Sequence, residues 1–156
     1  MKQKDQSAVL RCIRGDGSVT WQKREGKHAS FFPLHDLTHY AVETELGFRR
    51  GFYGLIAEGW EIAETTGKGA RGPLPDEAIE AEYIVGSLGA ERAGGAACTA
   101  EEFNDLASAF AKTRGRPNPR PLTDPELSRL RSRVDELVLR WRALQVGATL
   151  ELSFPL

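Results

Sequence analysis

Between Asp124 and Gln145 the apolar residues Leu127, Leu130, Val134, Leu137, Trp141 and Leu144 recur at alternating steps of three and four. That spacing holds one stripe to one side of an α-helix, and a strand with its period of two cannot satisfy it. Asp124-Pro125 supplies a start, with proline at the first helical position, and Gly147 supplies a stop. A helix this long must bury its stripe. Two surfaces are available: the chain's own core, which is the favoured reading, or a second copy, giving a homodimer through helix 124–146. The chain has 156 residues, 40% hydrophobic and 28% charged, which suits one core and a single domain over 1–156.

The remaining elements are read around that helix. Ala8 to Arg14 and Val19 to Gln22 are rich in branched apolar residues, and Gly15-Asp16-Gly17-Ser18 between them tolerates positive φ, so a β-hairpin is expected. Ala29 to Phe32 reads as a short third strand ended by Pro33. From Leu34 the period becomes helical, with Gly47 as C-cap. A second helix is expected from Arg50 to about Thr65, and a glycine- and proline-rich loop follows it. A third should run from Asp76 towards Leu88. Thr99-Ala100-Glu101-Glu102 is a capping box that opens a fourth, reaching about Lys112. The tail ATLELSF offers a last strand. The fold class is therefore α+β: a small antiparallel sheet, formed by the N-terminal hairpin with the C-terminal segment as a candidate extra strand, packed against about five helices.

Several function classes fall away on composition. Lys plus Arg total 21 and Asp plus Glu 22, a net charge of −1, without the basic excess of a dedicated nucleic-acid binder. No apolar run approaches the ~20 residues that span a bilayer, and the first ten residues lack a signal-peptide core, so no membrane partner is expected. Two cysteines, Cys12 and Cys98, cannot build a disulfide framework, and a reducing, cytoplasmic setting is expected.

The stretch HDLTHYAVETELGFRRGFYGLIAEGWE carries the chemistry. His35 and His39 stand four apart on a predicted helix and project in nearly the same direction, with Glu43 one turn further on. Two imidazoles one turn apart can share a zinc ion, their nitrogens about 2.0–2.1 Å from it. Asp36 beside His35 is a candidate outer-sphere acceptor, base or extra ligand. On the second predicted helix Gly51, Gly54 and Glu58 fall in one sector of about 60°. Glycines there admit another backbone, which places Glu58 at a helix contact where it needs a cationic partner.

His35-Asp36-Leu37-Thr38-His39, eighteen residues, then Glu58-Gly59-Trp60 resembles the zinc signature of gluzincin metallopeptidases, HExxH-x18-E. The resemblance implies a catalytic zinc, or another divalent metal, held by His35, His39 and Glu58 with a fourth position for water. It puts Asp36 in the general-base position, where the family has glutamate. The implied activity is metal-assisted hydrolysis of a small-molecule or peptide substrate, with Asp36 or Glu43 handling the proton. HDxxH also occurs in a ubiquinone-biosynthesis family, but its third ligand would fall at Gly51. HD-domain phosphohydrolases need further histidines, and His28 is the only other one.

The opposing reading is a non-enzymatic helical interaction or dimerisation protein in which the histidines and glutamates form a structural network. GKGA around Lys68 is no phosphate loop, because GxxxxGK[ST] would need glycine where Ile62 stands and a hydroxyl at Gly69. Arg114, Arg116 and Arg120 read as a solvated basic connector.

Overall fold

The computed structural model describes residues 1–5, 7–27, 29–67, 69 and 71–155; His28 and Lys68 lie outside them. Strands β1 (Val9–Ile13) and β2 (Val19–Lys23) form the expected hairpin, antiparallel with Val9 opposite Lys23 and Ile13 opposite Val19. Its turn is closed by Gly17 N–H donating to the Arg14 carbonyl (2.9 Å) and Ser18 N–H to Asp16 Oδ1 (2.8 Å), with Gly17 at φ 83°. Five α-helices follow: α1 (Phe32–Leu46), α2 (Phe52–Ala57), α3 (Asp76–Gly94), α4 (Ala100–Thr113) and α5 (Asp124–Ala143). A 3₁₀ turn, Ile62–Thr66, lies between α2 and α3. No helix among the described residues is long and apolar enough to cross a membrane.

Helix α1 is the hub: α5, α3 and α2 pack on it, and α4 packs on α3. Leu127, Leu130, Val134, Leu137 and Trp141 of α5 are all buried in one cluster with Leu37 and Ala41 of α1, Ile84 and Leu88 of α3 and Phe103 of α4. The heptad stripe thus lies in the chain's own core. Thr99 with Glu102 and Thr123 with Glu126 form reciprocal capping boxes that start α4 and α5. The hairpin is fastened to α2 by Arg14, whose Nε donates to the Ile56 carbonyl (2.7 Å) and whose Nη2 donates to that of Trp60 (2.6 Å).

Five expectations about the elements are corrected. Residues 29–31 form no strand; α1 begins at Phe32 with Pro33 in its first turn, where a missing N–H costs nothing. Helix α2 does not run to Thr65, because Gly59 adopts φ 98° directly after Glu58 and turns the chain away. Helix α3 continues past Leu88 to Gly94, and α5 ends at Ala143 rather than at Gly147. Its last carbonyls are taken by the buried Lys2 ammonium, which donates to Trp141, Arg142 and Leu144 at 3.0–3.3 Å.

The C-terminal segment adds no strand either. The edge beside β1 is taken by the N-terminus, where Val9 N–H donates to the Met1 carbonyl (3.0 Å) and the Met1 amino group to that of Val9 (2.8 Å). Leu150, Leu152 and Phe154 instead lie against the helical core, held by Tyr40 Oη donating to the Ser153 carbonyl (2.7 Å). Because Leu137 is fully buried at the α1–α5 contact, Leu137→Ala should destabilise the protein by about 2–5 kcal/mol. Urea unfolding followed by circular dichroism checks this; an unchanged midpoint would place the stripe outside the core.

Candidate metal centre

Helix α1 presents His35 and His39 one turn apart, their ring centroids 4.7 Å from each other and the planes inclined at 55°. The His39 side chain is 3% exposed and that of His35 28%. The contact between α1 and α3 brings Glu82 to the same place, with Oε1 3.4 Å from His39 Nε2. One ligating atom from each of His35, His39 and Glu82 lies within 4.8 Å of the other two. The cluster grades from a sealed imidazole to a carboxylate whose side chain is 43% exposed. Phe52 packs on the His39 ring (5.7 Å between centroids) and Phe31 on that of His35 (5.2 Å).

The carboxylate that joins the two histidines is therefore Glu82, not the expected Glu58. Glu58 is the C-cap residue directly after α2, exposed, with its carboxylate 3.0 and 3.3 Å from Arg50 Nε. Its predicted place at a helix contact depended on α2 continuing, and the turn at Gly59 removes that. The glycines do admit close neighbours: a Cβ on Gly51 would collide with the Glu43 carboxylate, and one on Gly54 with the Arg49 carbonyl.

Glu43 is 1% exposed. Its Oε2 accepts from the backbone N–H groups of Tyr53 (2.9 Å) and Gly54 (3.3 Å), while Oε1 stands 3.5 Å from His39 Nδ1. Asp36 is mostly buried, its carboxylate 3.8 Å from His35 Nδ1, and its backbone carbonyl accepts from Tyr53 Oη (3.1 Å). Cys12 is no thiolate ligand in waiting: burial, with Asp36 nearby, pushes its thiol up to about 11.

Burial works against a charge on His39, but Glu43 and Glu82 on opposite sides of the ring outweigh it and raise its pKa to about 9. Glu82 is likewise half desolvated, which opposes its charge, and His39, then His35 and Arg114, draw its pKa below the usual carboxylate range. Without a metal the site thus holds an imidazolium between two carboxylates. With one, it offers two nitrogens and an oxygen, the donor set that suits zinc and its neighbours, and a rim open for water.

Glu82 was findable. Ala78, Ala81, Val85 and Leu88 form the buried stripe of α3, and Glu82 stands at the stripe's i+4 position from Ala78, where an apolar residue belongs. An acidic residue there marks either a partner or a fault. No protein-family model, no curated protein and no solved structure matches this chain.

The raised pKa of His39 has a consequence for the metal-free protein. An imidazole that titrates near 6.5 when unfolded and about 9 when folded stabilises fully below 6.5, and that contribution disappears as pH rises through 9. Urea unfolding in EDTA across pH 6–10 should show stability falling in that window for the wild type and a flatter profile for His39→Gln. Identical profiles would mean that His39 is not charged in the fold.

Proposed function

We propose that the protein binds a divalent transition metal, zinc foremost, through His35, His39 and Glu82, and that the bound metal serves hydrolysis of a small-molecule or peptide substrate. The observation that carries the metal reading is the convergence of three donors from two helices around one buried imidazole. Two atoms about 2.0–2.1 Å from a zinc ion, seen from it at the tetrahedral angle, are about 3.3–3.4 Å apart. His39 Nε2 and Glu82 Oε1 stand 3.4 Å apart, and a modest swing of the partly exposed His35 completes the third corner.

The hydrolytic part of the reading extends the gluzincin resemblance to a changed ligand set, with Glu82 in the role first given to Glu58. Metal-bound water ionises near pH 7 and is a nucleophile at neutral pH. In this reading Asp36, next to the first histidine, takes the proton. Two unpaired thiols suit a reducing cytoplasm.

One observation favours the opposing reading of a structural network. His39 lies between the Glu43 and Glu82 carboxylates at 3.5 and 3.4 Å, so a proton on its ring can answer them in place of a metal. The readings part in zinc titration calorimetry on protein purified without a histidine tag. The metal reading predicts one zinc per chain, with affinity lost in His39→Ala and in Glu82→Gln and kept in Glu58→Gln. No uptake by wild-type protein, or equal uptake by all four proteins, would leave the structural network. Asp36→Asn should retain zinc and abolish any hydrolysis the loaded protein shows on ester or peptide probes.

A further inference from the structure

Among the described residues, two buried side-chain atoms at this site lack a hydrogen-bond partner: His39 Nδ1 and Glu43 Oε1. They face each other at 3.5 Å, a little beyond a formed bond. A buried carboxylate with one idle oxygen is costly, and so is an idle ring nitrogen. We infer that Glu43 is the positioning residue of the metal centre: it holds the proton of His39 on Nδ1 and so reserves Nε2 for the metal. This rests on the metal reading above and adds to it the device that selects the ligating nitrogen.

The geometry argues for it from both ends of the carboxylate. Oε2 is fixed by the N–H groups of Tyr53 and Gly54, so the group cannot turn without releasing two donors. The close approach exists only because position 51 has no side chain, since a Cβ there would run into the carboxylate. Oε1 has no hydrogen-bond partner and faces Nδ1 at 3.5 Å. On the far side of the ring, Nε2 looks at Glu82 and the open rim. From 3.5 Å, a few tenths of an ångström of ring motion towards Glu43 closes the Nδ1–H···Oε1 bond. A carboxylate behind a ligating histidine fixes its tautomer and makes it a stronger donor, and its loss typically costs about 10- to 100-fold in metal affinity.

Glutamine at position 43 would reverse the arrangement. Its carbonyl must face the two N–H donors of α2, so its amide nitrogen faces His39 and donates to Nδ1. The neutral ring then carries its proton on Nε2, the nitrogen the metal requires. Zinc affinity of Glu43→Gln should fall about 10- to 100-fold although every ligand remains. Gly51→Ala, which displaces the carboxylate and alters no ionisable group, should fall in the same direction.

The deciding measurement is the nitrogen–proton correlation spectrum of histidine-labelled protein with one equivalent of zinc. The expected result is a wild-type His39 protonated at Nδ1 and zinc-bound at Nε2 and, before zinc is added, a neutral His39 protonated at Nε2 in Glu43→Gln. Wild-type protein that binds zinc through Nδ1, or a Glu43→Gln variant that binds zinc as tightly as wild type, overturns the inference and leaves the metal reading intact. Wild-type protein that takes up no zinc overturns both. Should Glu43→Gln not fold, the wild-type spectrum and the affinity of Gly51→Ala decide the question.

Discussion

An imidazole and a carboxylate, one turn apart and almost sealed from solvent, sit on the helix against which α2, α3 and α5 all pack. Burying such a pair is costly unless it is answered, and much of the surrounding architecture answers it. The Glu43 carboxylate is answered by two backbone donors at the start of α2. The Gly51 and Gly54 positions let that segment come close enough to supply them. His39 is answered on its other side by Glu82, whose partial exposure keeps one edge of the network in contact with water. Apolar residues of similar volume would make a simpler interior, and breaking such a pair by removing one partner is strongly destabilising. A fold that carries so expensive a cluster at its hub has a use for it.

What is local in this fold was legible in the sequence. The α5 stripe, the capping box at Thr99, the Gly47 cap and the Asp16-Gly17 turn each depend on residues within a turn or two of one another. The failures share a cause. Placing Glu58 beside the histidines assumed a helix from Arg50 to about Thr65 with Glu58 in its interior, and a single glycine in left-handed geometry at position 59 leaves Glu58 as the exposed cap of a helix that ends at Ala57. The C-terminal segment has strand-forming residues, yet its place beside the sheet was taken by Met1, at the opposite end of the chain. Which carboxylate meets the imidazoles depends on how α3 docks on α1. Only the misfit of Glu82 in the α3 stripe hinted at it.

The candidate centre follows an economical plan. One rigid helix sets the separation of two ligands, and a second supplies the third. The short α2 segment contributes backbone donors behind the ligand shell rather than a ligand. Proton and metal are alternative occupants of the same place, because both satisfy Nε2 of His39 against Glu82, and metal uptake must displace a proton. The two functional readings are therefore two states of one network, and they differ in which cation the site has been shaped to hold.

That question is answered most directly by crystals grown with zinc and measured on both sides of its absorption edge. The account predicts one strong anomalous peak between His35, His39 and Glu82, about 2.0–2.1 Å from His39 Nε2. Density without such a peak, with His39 still held between Glu43 and Glu82, or a peak elsewhere on the chain, would contradict it.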